Sequence, residues 1–132
     1  MGRAVTLFCL DTHAVLFWFL EPHRLSERAA TLFEKERGLI VSSVVPWELA
    51  ILASSGRRPE TREILHEWPQ AVTEEGWREL PVTSQHAVAV ARLPLHHRDP
   101  FDRMLVAQAL VEGAAIVTAD RAIARYGVPV LW

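Results

Sequence analysis

The sequence has 132 residues, half of them hydrophobic, and a formal net charge of −2. This length and composition suit one ordinary domain with a sizeable core, so we predict a single domain over residues 1–132. A slightly acidic chain has no general attraction for polyanions. Any contact with nucleic acid must therefore come from a local basic patch or from bound cations.

The sequence lacks the features of membrane proteins and of secreted disulfide-rich proteins. Its one cysteine, Cys9, lies in an apolar run and is predicted to be a buried thiol, which excludes a disulfide framework. The early apolar segment is interrupted by Asp11 and His13 and is too short and too polar to span a bilayer. We therefore expect a soluble, cytoplasmic protein with no membrane association.

Strand and helix patterns alternate in the first half of the chain. The elements predicted here are, in order, a strand over residues 5–10 that ends at Asp11, a helix over 12–20, a helix over 27–37 capped by Ser26, a strand over 39–41, and a helix that begins after Ser42 or Ser43 and ends at Gly56. The first strand is a near-continuous apolar run. Such a run is typical of a strand that is covered on both faces of a parallel sheet.

The second half continues the alternation. Its predicted elements are helical segments over 60–75 interrupted at Pro69, a short edge strand within 77–82, a helix over 84–93, a helix from Asp99-Pro100 to Glu112, a strand over 114–118, a helical turn over 121–126 and a closing strand over 128–132. Strands that alternate with helices in this way predict an α/β domain with a mainly parallel central sheet.

The aspartates are the most informative residues. The chain has only four: Asp11, Asp99, Asp102 and Asp120. Asp11 and Asp120 each follow a buried strand, at the carboxyl edge where open α/β sheets gather their ligand sites. Asp99 and Asp102 stand three residues apart at a helix start, where backbone amides and the helix dipole stabilise anions. All four are therefore predicted to lie at one edge of the sheet.

Glu48 lies in a helix with apolar residues all round it. An unpaired carboxylate buried there is costly, so it needs a cation or hydrogen-bond donors. Several crowded carboxylates also repel one another, and a divalent cation removes that penalty. Oxygen-only ligands suit Mg²⁺ or Mn²⁺. The chemistry that follows is metal-assisted hydrolysis of a phosphodiester.

At this point the sequence resembles the PIN-domain ribonucleases and, within them, the VapC-type toxins of toxin–antitoxin pairs. The matching segments are residues 10–14 (LDTHA), Ser43 with 47–50 (WELA), 97–109 (HRDPFDRMLVAQA) and 118–120 (TAD). Their order and spacing cover nearly the whole chain. The segment over 97–109 is long and specific, whereas the first and last segments alone would be weak.

The resemblance implies a three-layer α/β/α fold and an endoribonuclease that depends on Mg²⁺ or Mn²⁺. The residues that it implies at the catalytic metal site are Asp11, Glu48, Asp102 and Asp120. It implies that Thr118 supports them by hydrogen bonding, and that Asp99 belongs to the Asp-Pro-Phe-Asp-Arg motif. It also implies an RNA substrate, a small VapB-like antitoxin and a homodimer. Ser54-Ser55-Gly56-Arg57-Arg58 departs from the family's usual lysines and Gly-Lys/Arg turn.

Each acidic residue also has a structural interpretation. An aspartate after a strand is often only a helix N-cap, which applies to Asp11 and Asp120 taken one at a time. For Asp99, followed by Pro100, the N-cap is the simplest role, and metal binding is the alternative. Asp102 could merely favour the helix dipole.

The remaining candidates favour structural roles. His13, His96 and His97 lack the paired spacing of a zinc site and are predicted to be orienting or surface residues, with His13 near the site. The five tryptophans are predicted to anchor the core or an interface rather than to stack on bases. Arg57 and Arg58 could contact phosphates or simply form a solvated turn.

Two functions from other classes compete with the nuclease. A receiver-like signalling domain also gathers carboxylates at a sheet edge, but it usually has two adjacent early acids and a lysine near a late strand. The only lysine here, Lys35, lies in a predicted surface helix. The second is a non-catalytic interaction module whose acidic pocket binds an arginine of a partner, and the sequence excludes it less well.

Overall fold

The computed structural model describes residues 6–132, which form a five-stranded sheet between two layers of helices. The strands are β1 (Leu7–Leu10), β2 (Ile40–Ser42), β3 (Arg78–Leu80), β4 (Ala114–Val117) and β5 (Val130–Leu131). The α-helices are α1 (Thr12–Leu20), α2 (Glu27–Lys35), α3 (Val44–Ser54), α4 (Thr61–His66), α5 (Trp68–Glu75), α6 (Ser84–Val90) and α7 (Pro100–Glu112). Two 3₁₀ helices cover Pro22–Arg24 and Arg121–Tyr126. The predicted three-layer α/β architecture is confirmed.

The element boundaries differ from the predicted ones for local reasons. The N-terminal part of the first predicted strand, Val5, lies outside the described residues. The helix predicted to end at 93 ends at Val90 and continues to Leu93 as tighter turns, in which each amide bonds to the carbonyl three residues back. The helical break near Pro69 falls at Glu67, so that the proline lies in the first turn of α5, where its missing amide costs nothing.

The strand order places a topological switch point beside β1. The order is β3-β2-β1-β4-β5 and the pairings are all parallel. The chain moves outward from β1 to β3 and then returns to place β4 on the other side of β1. Leu10 pairs with Val117, so the two strands end together. A crevice opens outside the carboxyl ends of strands at such a reversal, which is where ligands bind in open α/β sheets.

The central strands bury both faces. On one face Leu10 and Val117 contribute to a core shared with α1 to α5 and with aromatic rings such as Phe33. On the other face Cys9 and Ile116 pack against α7 and the second 3₁₀ helix. Burial raises the pKa of the Cys9 thiol to about 12, which keeps it protonated as predicted for a buried structural cysteine.

Among residues 6–132, no helix combines the length and the apolar character that a membrane crossing requires.

Candidate metal centre

Asp11 lies at the end of β1 and begins α1. Its Oδ1 accepts a hydrogen bond from the Ala14 amide at 2.7 Å, so it is the N-cap of that helix. The side chain is almost fully buried. Burial raises its pKa, although the nearby Thr118 side chain and the Ala14 amide oppose the rise. Asp11 is therefore a carboxylate that is fixed in place but short of positive charge.

Asp120 follows β4 and is held at both oxygens. Its Oδ1 accepts from the Ala122 amide at 2.9 Å, and its Oδ2 lies 2.9 Å from Nε2 of His97. The Thr118 hydroxyl accepts from the Asp120 amide at 3.0 Å and shapes the turn. Burial alone would raise the pKa of Asp120, but the contacts with His97 and Ala122 outweigh it and lower the pKa.

Two carboxylates come from the start of α7. Asp99 Oδ1 accepts from the amides of Phe101 and Asp102, at 2.8 and 3.2 Å, so the predicted N-cap is confirmed. Asp102 lies in the first turn. Burial and, after it, the negative charges of Asp99, Glu48 and Asp11 together raise the pKa of Asp102 to about 7. The Asp102 carboxyl thus ionises with difficulty in the absence of a cation.

Glu48 completes the group from α3, which packs against α1 and α7. It is half-buried rather than fully enclosed by apolar residues. Burial raises its pKa, the Thr12 side chain opposes the rise, and the charges of Asp99 and Asp11 add to it. The structure therefore brings the predicted acids into one group, which we call the acidic cluster. Its members are Asp11, Glu48, Asp99, Asp102 and Asp120.

His97, predicted to be an orienting or surface residue, lies beside the acidic cluster. One of its ring nitrogens and one carboxylate oxygen from each of Asp102 and Asp120 lie within 4.8 Å of one another. Its backbone amide donates to the Tyr126 hydroxyl at 2.7 Å, and its ring lies against the Tyr126 ring. The sequence signal for this position was its place at the start of the matching segment over 97–109, two residues before Asp99.

Three other residues singled out in the sequence lie outside the acidic cluster. Arg58, for which the sequence left a phosphate contact and a solvated turn open, forms ion pairs with Glu21, at 3.0 Å, and with Glu60. His13 is exposed at the start of α1 and close enough to lower the pKa values of cluster carboxylates. Trp47 is 61% exposed and is not a core residue.

Comparison with known proteins identifies the family. Residues 8–129 match the PIN domain family. The chain belongs to the PIN domain family. A curated relative, Ribonuclease VapC22 of Mycobacterium tuberculosis (strain ATCC 25618 / H37Rv), is 34% identical over 118 residues, which is 89% of each chain. The resemblance to VapC-type proteins seen in the sequence is thereby confirmed.

Solved structures show the same PIN fold. VapBC2 from Rickettsia felis, crystallised with a DNA fragment from its promoter, superposes with a TM-score of 0.71 at 13% identity, over 96% of this chain and 98% of that one. FitAcB from Neisseria gonorrhoeae gives a TM-score of 0.70 at 19% identity, over 95% and 96% of the two chains. At these identities the likeness concerns the fold alone.

The raised pKa of Asp102 predicts a pH-dependent stability. Because the folded carboxyl titrates at about 7 instead of its usual 3.8, the folded state holds this proton more tightly than the unfolded state. The contribution of this proton to the free energy of unfolding is fully present below about pH 4, and it is lost as pH rises through about 7. We expect the thermal unfolding midpoint of the wild type, measured in EDTA, to fall as pH rises over that range. Asp102→Asn should reduce the slope of the midpoint against pH. Above pH 7 its midpoint should be higher than that of the wild type.

A matched control is Glu79→Gln, which changes an exposed carboxylate on the edge strand β3. This variant should keep the wild-type slope. Identical slopes in Asp102→Asn and wild type would contradict the raised pKa assigned to Asp102.

Proposed function

We propose that this PIN-domain protein is a metal-dependent endoribonuclease that hydrolyses phosphodiester bonds in RNA and acts as the toxin of a type II toxin–antitoxin pair. The observation that carries the proposal is the acidic cluster, in which four separate segments bring five carboxylates to the switch point of the sheet. With RNA as the substrate, the protein would act in the cytoplasm.

The donor chemistry of the cluster fits a divalent cation. Burial raises the pKa values of Asp11, Glu48 and Asp102, and their mutual repulsion adds to the rise. Positive charge at this point would relieve the cost. Carboxylate oxygens are ligands that Mg²⁺ and Mn²⁺ prefer. The residues that would hold the ion are Asp11, Glu48, Asp102 and Asp120.

When bound, a divalent ion supplies an activated water and neutralises charge on the phosphate. The residues of this chain keep the ligands in fixed orientations. The Ala14 amide holds Asp11, while the Ala122 amide and His97 hold Asp120. Thr118 supports both acids from the end of β4. Asp99 is the N-cap of α7 and adds negative charge beside Asp102. These roles do not require it to be a metal ligand.

The choice of RNA and of an antitoxin partner rests on relatives. The 34% identical relative is named a ribonuclease, and structural neighbours were solved as VapBC and toxin–antitoxin complexes. Membership of the PIN domain family removes the receiver-like alternative. The non-catalytic interaction module becomes an outcome of the experiments below.

Loss of a proposed metal ligand should abolish catalysis without unfolding the protein. Asp11→Asn keeps an oxygen that can cap α1 but removes charge from the cluster. We expect cleavage of single-stranded RNA to fall by more than the roughly 10- to 100-fold typical of residues that only orient ligands. EDTA should abolish wild-type cleavage, and Mg²⁺ or Mn²⁺ should restore it.

Two variants serve as controls for Asp11→Asn. Glu79→Gln removes an exposed carboxylate outside the cluster and should leave the rate unchanged. Asp99→Asn preserves the cap of α7 and should keep most of the activity, because Asn caps about as well as Asp. Wild-type activity of Asp11→Asn at saturating metal would refute the site. No cleavage by the wild type with any divalent ion would favour the interaction module.

The proposed antitoxin should place an Arg or Lys among the carboxylates. A cluster with raised pKa values is a favourable site for a guanidinium, which binds carboxylates bidentately. We expect a basic C-terminal peptide from the neighbouring short gene to inhibit cleavage, and inhibition to weaken as Mg²⁺ rises. The same peptide with its basic residue changed to Ala is the control. Undiminished, metal-independent inhibition by that control would contradict the proposal.

We also propose a homodimer, which the family resemblance implies. Several large apolar side chains are exposed on the single chain, among them Ile51, Leu95 and Leu110. Burying such residues between copies is a common reason for their exposure. Sedimentation velocity at micromolar concentration should give a dimer, and a monomer there would be evidence against it.

A further inference from the structure

A groove with a volume of about 690 Å³ borders the acidic cluster between α3, α6 and the start of α7. Trp47 and Phe101 line it, together with apolar residues that include Val82 and Val90. The two aromatic rings meet edge to face, with centroids 4.9 Å apart. Because Trp47 is 61% exposed, its ring is supported by Phe101 yet open to solvent.

The groove and the acidic cluster share a border. Three residues that line the groove, Trp47, Arg98 and Phe101, each directly precede a cluster carboxylate in the sequence. Neighbouring Cα atoms are only about 3.8 Å apart. A ligand whose phosphate reaches the cluster can therefore place its adjacent chemical group in the groove.

The charge of the groove selects the kind of ligand. Its charged lining residues are Arg98 and Arg103, and no acid lines it. The Arg103 guanidinium donates to backbone carbonyls, including those of Pro94 and Val90, so it serves the structure. Arg98 is exposed and forms no ion pair within the described chain, residues 6–132. An exposed aromatic ring beside a free guanidinium fits an anion that carries a flat ring, and it repels a basic peptide.

We propose that the groove binds an unpaired base of the RNA substrate, stacked on Trp47, with a backbone phosphate of that strand paired to Arg98. The inference rests on the proposed nuclease function and names the substrate contact beside the cluster. Stacking on an aromatic side chain accepts any base, because every base has a π-face. A base is free to enter the groove only where the RNA is single-stranded, so the groove selects unpaired RNA at the cleavage position.

The first test measures stacking. The probe is a short, labelled, single-stranded phosphorothioate oligoribonucleotide, titrated by fluorescence anisotropy in Ca²⁺ with its integrity checked on a gel. We expect Trp47→Ala to weaken binding about tenfold, equivalent to about 1.4 kcal/mol. Trp47→Phe should retain most of the affinity. Val88→Ala, at a residue 60% exposed on α6 and outside the groove, should change nothing.

The second test measures the phosphate contact. Arg98→Gln should reduce the slope of log affinity against log salt by about 0.7, the value for one phosphate contact with a single strand. Arg92→Gln, at an exposed arginine outside the groove, should keep the slope. In cleavage assays Trp47→Ala should raise KM while kcat is retained, because a lost ground-state contact need not alter the chemical step.

Unchanged oligoribonucleotide affinity in Trp47→Ala overturns the inference. If this variant instead becomes monomeric in sedimentation, the groove is an interface between copies, and if it loses only affinity for the antitoxin peptide, the groove belongs to that partner. Either result also overturns the inference. Cleavage of RNA by the wild type is measured in a separate assay, so that the nuclease function and the groove are tested independently. A wild type that binds the probe through Trp47 but cuts no RNA contradicts the nuclease and not the groove.

Discussion

The burial of several carboxylates together at the switch point, where they also repel one another, is the constraint on which the site depends. Three members of the acidic cluster are N-caps whose carboxylate oxygens accept hydrogen bonds from backbone amides, namely Asp11, Asp99 and Asp120. Helix starts carry unpaired amides and partial positive charge, so each cap secures a carboxylate through the backbone, and at Asp120 the His97 ring adds a second contact. Asp102 and Glu48 are not caps, and their pKa values are raised. The fold thus fixes the orientation of the capping carboxylates, while Asp11, Glu48 and Asp102 remain short of positive charge.

Local rules explain which features could be predicted from the sequence. Asp11 and Asp120 follow strands whose apolar runs are unmistakable, and parallel strands bring their carboxyl ends to one edge. Asp99 precedes Pro100, a combination that fixes the start of a helix. These signals span only a few residues each. They were sufficient to predict the fold class and the grouping of the acids, although their assignment as metal ligands came from the family resemblance.

The features that could not be predicted depend on contacts between distant segments. His97 reaches Asp120 because its loop packs on Tyr126, 29 residues away in the sequence. Arg58 is engaged by Glu21, which lies 37 residues earlier. Because α3 is apolar on all sides, its sequence does not indicate which face meets α7, and so could not show that Trp47 is exposed. Periodicity identifies a buried face only where polar residues mark the opposite one.

The way α3 and α7 pack joins the acidic cluster to the groove. Successive residues on a helix point about 100° apart, so neighbouring positions serve adjacent faces. On α3 one face carries Glu48 into the cluster and the next carries Trp47 into the groove. On α7 the pair is Asp102 and Phe101. Trp47 and Phe101 are in edge-to-face contact on the groove side. The packing that brings Glu48 close to Asp102 therefore also brings Trp47 against Phe101, so one contact between helices places the acidic cluster next to the groove.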